Sequence, residues 1–208
     1  MKFNRTFNTR LASQRGYSLV ELSVALAIVA VILVGALLGT RQVMLTNSVN
    51  NQVKESATVI SKIQRQFAKQ TNTTGATTNV LAPLGIWPSE RSSVSGSNWT
   101  VRGVINGSSE LVFSNTTAIG TMPANGGFIY TLRQVPVDAC AELITAMDAV
   151  SFSIYAGQSA GSAPTDGATP SSNVVKAADT GAINVTELAS ACKPALGSAV
   201  DIAVVFRQ

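Results

Sequence analysis

The stretch Arg15-Gly16-Tyr17-Ser18-Leu19-Val20-Glu21-Leu22 decides the fold, because it opens the long apolar segment of the chain. No charged residue follows between Leu22 and Thr40 (LSVALAIVAVILVGALLGT), and about 20 apolar residues are enough to cross a bilayer as a helix. Glu21 is thus a single carboxylate at the start of an apolar helix, where burial without a neutralising partner is expensive. The sequence therefore predicts a membrane-spanning helix whose one carboxylate needs a partner charge.

The positive charge of the chain is concentrated at its N-terminus. The 208 residues include 15 basic and 11 acidic ones, which gives a formal charge of +4. Four basic residues and no acidic ones precede Gly16, so the 15 basic residues less these four leave 11, which balance the 11 acidic ones. Positive charge in front of an apolar segment holds that end of a chain in the cytoplasm. The basic residues therefore predict a membrane orientation, and no nucleic-acid partner is inferred from them.

The composition argues against most catalytic and metal sites. The chain has no histidine, which excludes His-based catalysis and His metal ligands. Its two cysteines, Cys140 and Cys192, are too few and too far apart for a zinc cluster. The sequence contains no nucleophile elbow, Gly-rich phosphate loop or carboxylate cluster. We therefore expect no enzyme activity and no cofactor.

Residues 1–40 admit three interpretations. A secretory signal peptide needs a small-residue cleavage site after the apolar run, but residues 36–40 (ALLGT) contain no A-x-A pattern. An uncleaved signal anchor needs only the basic flank and the apolar run. The third interpretation is a signal that is cleaved at the glycine directly before the apolar run and whose run carries a carboxylate. Gly16 and Glu21 favour this interpretation.

Gly16, Tyr17 and Glu21 resemble the class III signal of type IV prepilins. The resemblance implies that a prepilin peptidase cuts between Gly16 and Tyr17 on the cytoplasmic side and that Tyr17 is then N-methylated. Many members of the family carry phenylalanine at this place, so Tyr17 is a departure from the pattern. The leader of 16 residues and the absence of proline from the helix are more similar to the type IVb group than to type IVa.

The resemblance also implies a role for Glu21 in assembly and register. In the membrane, this carboxylate would lie within about one helical turn of the cytoplasmic boundary and could still reach water. In a filament core it would be buried, and the α-amino group of Tyr17 on an adjacent subunit would pair with it. Such a pair would fix the axial register, because a buried charge without its partner costs roughly 3–5 kcal/mol. The alternative interpretation is an anchor glutamate that reaches the membrane interface.

The helical pattern continues beyond the apolar segment. One face of a helix is formed by apolar residues three or four apart: Val49, Val53, Ala57, Ile60, Ile63 and Phe67. The stop signal at 71–75 (TNTTG) predicts one helix from about Tyr17 to about Asn72. The predicted domains are a leader over 1–16, a membrane and filament-core helix over 17–40, an amphipathic helix over 41–72 and a head over 73–208. A coiled-coil stalk is the alternative for the second half of the helix.

From residue 73 onward, the pattern changes to period two and to turn residues. Strands are predicted at 99–105, 110–113, 128–133, 150–155 and 200–206, with turns at 106–107 and 124–127. Short helices are predicted at 139–147, capped by Asp138, and at 185–192. The Gly-, Ala- and Ser-rich stretch 156–181 is predicted to be a loop. The fold class is therefore α+β, with a long N-terminal hydrophobic helix packed against an antiparallel β-sheet head, similar to the pilin fold.

Cys140 and Cys192 are expected to form a disulfide, because the bulk of the chain follows a membrane-insertion signal. The bridge would close a loop over the C-terminal region and contribute about 4 kcal/mol to stability. In type IV pilins, such a disulfide-bounded region is commonly the exposed, variable part of the filament. The segment Arg133-Gln134-Val135-Pro136 that leads to Cys140 is also similar to PilS-type thin-pilus pilins. Trp87 and Trp99 are predicted to pack in the core or the linker.

The sequence thus predicts a structural subunit of a type IVb-like pilus that polymerises with itself through its N-terminal helix. The expected partners are the membrane before assembly, a prepilin peptidase/methyltransferase, the inner-membrane pilus assembly machinery and further copies of the chain. The expected location is the inner membrane and then the extracellular pilus. Two alternatives stay open: a minor pilin or type II secretion pseudopilin, and a signal-anchored periplasmic binding domain or enzyme. The use of the filament, whether in adhesion, conjugation, DNA uptake or motility, also stays open at this point.

Overall fold

The computed structural model describes residues 18–105, 107–158, 173–178, 181–193 and 199–208. The chain divides into two compact units, Met1–Val43 and Met44–Gln208. The first helix, α1 (Leu19–Phe67), begins in the first unit and ends in the second. The expected cleavage and methylation positions, Gly16 and Tyr17, lie outside the described residues.

α1 ends at Phe67, short of the end that the sequence predicts near Asn72. The side-chain amide of Gln208 donates to the carbonyl oxygens of Phe67 at 2.7 Å and Gln70 at 2.6 Å. The backbone N–H of Gln70 also donates to Phe67, at 2.8 Å. Carbonyls at a helix end lack intrahelical partners, and these bonds supply them. The helix end is therefore satisfied by a residue 141 positions away along the chain, which local sequence does not reveal.

The face that α1 buries in the second unit differs in part from the predicted stripe. Its buried residues are Val49, Gln52, Ser56, Val59, Ile60, Ile63 and Phe67. The stripe predicted from spacing is wrong at Ala57, which is exposed, and Val53 is only half-buried. Two polar side chains, Gln52 and Ser56, lie instead in the middle of the buried face. They are buried there because two side chains of the sheet, Glu110 and Tyr130, form hydrogen bonds with them.

Within the described residues, seven strands form one antiparallel sheet in the order β1-β2-β3-β4-β7-β5-β6. The strands are β1 (Ser92–Ser95), β2 (Asn98–Arg102), β3 (Ser109–Ser114), β4 (Gly127–Pro136), β5 (Ser153–Gln158), β6 (Asn173–Lys176) and β7 (Ala199–Arg207). The last strand, β7, lies between β4 and β5 near the centre of the sheet. The chain between β4 and β7 therefore contributes β5 and β6, which lie on the far side of β7 from β4.

The described part of the chain also contains three shorter α-helices: α2 (Thr78–Leu81), α3 (Val137–Met147) and α4 (Val185–Ala191). α3 begins at Val137 with Pro136 at the capping position, so the prediction that Asp138 caps this helix is wrong. Asp138 lies in the first turn, where a carboxylate is favourable to the helix dipole. α4 is capped by Asn184, whose side-chain oxygen accepts from the backbone N–H groups of Thr186 at 3.0 Å and Glu187 at 3.3 Å.

The predicted strands at 99–105, 110–113, 128–133 and 200–206 correspond to β2, β3, β4 and β7. The strand predicted from Val150 begins only at Ser153, because Asp148–Val150 form a 3-10 turn after α3. The predicted loop 156–181 contains β6, which pairs with β5, so the loop prediction is wrong there. The parts 159–172 and 179–180 of that stretch lie outside the described residues.

The main core of the second unit is enclosed by α1, the sheet and the shorter helices. Trp87 is buried in this core and Trp99 packs against it half-buried, which confirms the predicted packing role of both. A smaller cluster that includes Ile129 and Val205 buries the opposite face of the central strands. Cys140 and Cys192 form the expected disulfide, with Cα atoms 5.6 Å apart, and it joins α3 to the end of α4.

Candidate functional site

In the first unit, the apolar part of α1 is exposed over the residues that the structure describes. Every described side chain between Ser18 and Val43 is exposed, with Leu19 at 85% and Val31 at 74%. The segment is long and apolar enough to cross a membrane, and its mean hydropathy reaches 2.8 over 18 residues. Exposed apolar surface of this extent marks contact with lipid or with other protein.

Two hydroxyl groups in this segment, those of Ser23 and Thr40, bind to its own backbone. Ser23 Oγ donates to the carbonyl oxygen of Val20 at 2.8 Å, and Thr40 Oγ1 donates to that of Leu37 at 3.0 Å. A hydroxyl that is satisfied within its helix adds no unmet polar group to an apolar environment. The two polar side chains are therefore compatible with burial in lipid or in a helix bundle.

Glu21 is the only acidic side chain among the described residues 18–43. It lies exposed in the first turn of α1, where the N-terminal end of the helix dipole favours negative charge. The partner expected from the sequence, the α-amino group of a neighbouring Tyr17, lies outside the described residues. The structure thus places Glu21 at the start of the apolar helix, and its pairing stays a prediction.

A buried polar cluster lies in the second unit between α1 and the sheet, with Glu110 of β3 at its centre. The Glu110 cluster consists of Gln52, Glu55, Ser56, Trp87, Arg91, Glu110 and Tyr130. Glu110, Gln52 and Tyr130 have no solvent-exposed surface. A buried carboxylate needs complete hydrogen bonding to be tolerated, so its partners decide whether this cluster stabilises the fold.

The Glu110 carboxylate accepts hydrogen bonds from three separate segments. Oε1 accepts from Gln52 Nε2 at 2.9 Å and from Arg91 Nη1 at 2.8 Å. Oε2 accepts from Trp87 Nε1 at 2.7 Å. The ion pair with Arg91 offsets the cost of burying the charge, and the neutral donors Gln52 and Trp87 give each carboxylate oxygen a further hydrogen bond.

Most of the surrounding polar groups of the cluster are also bonded, although Arg91 Nε is buried without a hydrogen-bond partner among the described residues. Gln52 Oε1 accepts from the backbone N–H of Val104 at 2.7 Å, and the Tyr130 hydroxyl lies 3.1 Å from Ser56 Oγ. Arg91 pairs with Glu55 as well as Glu110, and its Nη1 donates to the carbonyl oxygen of Arg102 at 2.8 Å. One helix, one connection and three strands are therefore tied to each other through polar contacts.

Two groups of the cluster have shifted pKa values. Burial and the nearby Glu110 carboxylate raise the pKa of Tyr130 well above that of an ordinary tyrosine. Burial also raises the pKa of Glu55, although the Arg91 guanidinium acts in the opposite direction. Among the described residues, no group of three or more His, Cys, Asp or Glu side chains is placed to hold a metal ion. The arrangement fits a structural role, in which the cluster holds α1 on the sheet.

The Glu110 cluster is not among the sites predicted from the sequence, although the sequence contains one signal for it. Every second residue along β3 is buried, and Glu110 is one of these residues together with Val112 and Ser114. Alternation in a strand therefore places a carboxylate among inward-facing positions, which indicates a buried partner. The identity of that partner could not be read, because Gln52 and Arg91 are 58 and 19 residues away.

Comparison with known proteins supports both the N-terminal signal and the fold. Residues 11–37 match the family of the prokaryotic N-terminal methylation motif. The structure is similar to that of a type IVb pilin from Salmonella typhi, with 15% identity, a TM-score of 0.52 and coverage of 76% of this chain and 99% of that one. It is also similar to TcpA, a type IV pilin from Vibrio cholerae El Tor biotype, with 19% identity, a TM-score of 0.51 and coverage of 76% and 98%. No curated protein matches the chain in sequence.

The resemblance to type IV pilins is thereby confirmed for the motif and the fold. The motif match includes Gly16, Tyr17 and Glu21, and it covers the start of the apolar helix. The structural matches confirm the α+β class, a long N-terminal helix with an antiparallel sheet. At these identities the matched structures establish the fold of the chain.

Replacing Glu110 with Ala should lower the free energy of unfolding by at least about 2 kcal/mol. The buried donors Gln52 Nε2 and Trp87 Nε1 would lose their acceptor, at roughly 1–3 kcal/mol each, and Arg91 would keep only Glu55 as its carboxylate partner. Urea unfolding of the detergent-solubilised full-length protein, followed by tryptophan fluorescence, measures the change. Glu90→Ala is the matched control, since Glu90 is exposed and its loss should change stability by less than about 0.5 kcal/mol. Equal effects of the two substitutions would contradict a stabilising role for the cluster.

Replacing Tyr130 with Phe should make stability less sensitive to alkaline pH. An unfolded tyrosine loses its proton near pH 10, whereas folded Tyr130 retains it because its pKa is raised. The folded state then binds more protons than the unfolded state, so this group lowers stability by about 1.4 kcal/mol per pH unit above its unfolded pKa. The variant, although less stable at neutral pH, should show a shallower decline between pH 9 and pH 11 in urea unfolding. Parallel declines in both proteins would show that Tyr130 does not titrate in this way.

Proposed function

We propose that this protein is a structural subunit of a type IVb-like pilus and that its function is to polymerise with copies of itself. The observation that carries the proposal is the uncovered apolar segment of α1 with Glu21 in its first turn. The methylation motif over residues 11–37 supports processing at Gly16 and Tyr17. The pilin fold of the chain supports a filament in which α1 forms the core and the heads form the surface.

The energetics of assembly follow from the environment of α1 before and after polymerisation. In the membrane, lipid covers the apolar segment, and in the filament neighbouring helices cover it. Lipid tails are as apolar as leucine, so the hydrophobic effect alone favours neither state strongly. Close packing and polar pairs between helices must then supply the preference, and Glu21 is the one described acid of this segment that can supply such a pair.

The chemistry of the new N-terminus fits this pairing. Cleavage after Gly16 converts the amide nitrogen of Tyr17 into an amine, which is protonated near neutral pH. N-methylation keeps that nitrogen basic, so the positive charge persists. A cationic terminus on one copy would then neutralise the Glu21 carboxylate of another, and the pair would be sealed in an apolar core. Copies in the wrong register would leave both charges buried and unpaired, at a cost of roughly 3–5 kcal/mol.

The proposed partners and location of the protein follow from the order of anchoring, cleavage and assembly. Before assembly, the chain would be held in the inner membrane by α1, with its basic leader in the cytoplasm. A prepilin peptidase/methyltransferase would process Gly16 and Tyr17, and the inner-membrane assembly machinery would extract the subunit. The head would then become part of a pilus on the cell surface, where its disulfide is stable.

Mass spectrometry of the protein from cells tests the proposal directly. The peptide sought begins with N-methylated Tyr17, and it is looked for in a sheared surface fraction and in inner membranes. Its presence in the sheared fraction is the expected result, because it shows processing and polymerisation together. The same peptide confined to membranes would instead identify a pseudopilin or minor pilin. A chain that keeps Met1 and is not sheared from cells would overturn the proposal.

Replacing Glu21 with Val should leave insertion and processing intact but abolish most assembly. The substitution removes the carboxylate and leaves the amine of a neighbour unpaired in the filament core, so sheared pilin should fall by roughly tenfold or more. Immunoblots of sheared and membrane fractions measure the change. Glu90→Val is the matched control, since it removes an exposed carboxylate of the head and should leave the sheared fraction unchanged. Wild-type amounts of filament from the Glu21 variant would rule out the assigned role.

A further inference from the structure

We propose that Glu55 of α1 is a proton-binding site of the head, because it shares the single guanidinium of Arg91 with the buried carboxylate of Glu110. As the medium becomes acidic, Glu55 would take up a proton and leave Arg91 to Glu110. The proton would also remove the acidic charge from a groove beside α1. The head would thus contain a pH-sensitive site that is separate from the assembly segment around Glu21.

The Arg91 guanidinium is divided between two carboxylates. Its Nη1 donates to Glu110 Oε1 at 2.8 Å, and its Nη2 donates to Glu55. Nη1 also donates to the carbonyl oxygen of Arg102 at 2.8 Å, and Nε is buried without a hydrogen-bond partner among the described residues. A guanidinium binds a carboxylate most strongly through two parallel bonds, whereas each carboxylate receives a single bond here. One positive charge therefore serves two negative charges.

The two carboxylates differ in the other groups that hold their charge. Glu110 has no exposed surface, and it also accepts from Gln52 Nε2 at 2.9 Å and from Trp87 Nε1 at 2.7 Å. Glu55 has Arg91 as its hydrogen-bond donor among the described residues. Hydrogen bonds donated to an ionised carboxylate disfavour its protonation. The proton is therefore expected at Glu55.

Glu55 is also the carboxylate that solvent reaches. Its side chain is 23% exposed, and it lines a groove of about 440 Å³ between α1 and the segment that precedes β1. The buried residues Val59 and Ile86 line the same groove and make part of its wall apolar. A carboxylate in such a place loses part of its hydration but can still exchange a proton with water.

The charged groups that act on Glu55 come from three elements. They are Lys62 of α1, Arg91 of the segment before β1 and Glu110 of β3. Burial is the largest influence and raises the pKa of Glu55. The Arg91 and Lys62 cations lower this pKa and the Glu110 carboxylate raises it, and the balance lies above the pKa of an ordinary glutamate. Tyr130 of β4 also belongs to the cluster, and its raised pKa keeps it neutral in acid.

Proton uptake would change the charge of the groove. Its walls carry two basic residues, Lys54 and Lys62, and one acidic residue, Glu55. Two positive charges less one give a formal charge of +1 when Glu55 is ionised, and +2 when it is protonated. Lys62 Nζ donates to the carbonyl oxygen of Ile86 at 2.9 Å, which fixes this ammonium group beside the groove. The groove would therefore become more basic as the medium becomes more acidic.

The site would also affect folding stability in a definite direction. Because the pKa of Glu55 is raised in the folded state, the folded chain binds this proton more tightly than the unfolded chain does. The stability that this group contributes is fully present below its unfolded pKa and is lost as the pH rises through its folded pKa. A simple ion pair of glutamate with arginine has the opposite sign, because it lowers the pKa of the carboxyl group. The sign therefore distinguishes the two cases.

Replacing Glu55 with Gln tests this sign, because glutamine stays neutral at every pH and has nearly the same shape. From about pH 7.5 to about pH 4, the urea midpoint of the wild type should rise relative to that of Glu55→Gln. Tryptophan fluorescence of the detergent-solubilised full-length chain measures both midpoints. Glu90→Gln is the matched control, since it removes an exposed carboxylate next to Arg91 and its midpoints should stay parallel to those of the wild type. A wild-type midpoint that falls relative to Glu55→Gln, or stays parallel to it, would overturn the proposal.

Carbon-13 NMR locates the proton directly. The chain has six glutamates, so selective labelling of their δ-carbons gives few signals, and Glu55→Gln identifies the signal of residue 55. This signal should titrate at a higher pH in the folded protein than in the urea-unfolded protein. An equal or lower titration midpoint in the folded protein would also overturn the proton site.

Replacing Glu110 with Gln separates the shared guanidinium from burial alone. The variant keeps the size of the side chain but removes one of the two negative charges, so Arg91 would serve Glu55 alone. The titration midpoint of Glu55 should then move to lower pH, and an unchanged midpoint would overturn the sharing. The urea comparison of Glu55→Gln does not use this variant, so it decides the proposal even if Glu110→Gln does not fold. All of these measurements use subunits in detergent, and a negative result would leave the proposed filament in place.

Discussion

The arrangement of the head depends on the ion pair and hydrogen bonds that surround the buried carboxylate of Glu110. A charge in this position is stable only when its donors are all present, and they come from α1, from Trp87 and from Arg91. A shift of α1 by one residue would rotate Gln52 by about 100° and remove it from the carboxylate. The apolar core supplies most of the stabilisation of the head, but it tolerates such shifts better than this cluster does. The cluster therefore selects one register of the helix on the sheet.

A comparison of the two carboxylates explains why the chain suits polymerisation. Glu110 obtains an arginine and two neutral donors from its own chain, whereas Glu21 lies exposed in a segment where every described side chain faces outward. In α1, the polar side chains Gln52 and Ser56 of the second half are bonded within the second unit, whereas the described apolar and acidic side chains of the first half are exposed. Lipid can cover the apolar groups, but only another charged group can pair with Glu21 in an apolar core. In the proposed filament, a second copy of the chain with a cationic N-terminus would provide both.

The disulfide restricts the C-terminal part of the head. It joins α3 to the end of α4, and the two cysteines are 52 positions apart in the chain. A cross-link of this kind removes conformations from the unfolded chain and stabilises a fold by about 2–4 kcal/mol. The bridge and the Glu110 cluster therefore constrain different parts of the head.

The sequence by itself determined the features that depend on local pattern. The apolar length of α1, the signal at Gly16, the strands of alternating residues and the pairing of the two cysteines all follow from neighbouring residues or from simple counting. Only the tertiary structure decided where α1 ends, which polar residues it buries, and that a strand forms at Asn173–Lys176 inside a Gly-rich stretch. The physical reason is that each of these features depends on partners far away in sequence. Gln208 satisfies the end of α1, and Glu110 binds Gln52 in the core. The alternation along β3 marks Glu110 as an inward-facing residue, but no local pattern identifies Gln52 or Gln208 as a partner.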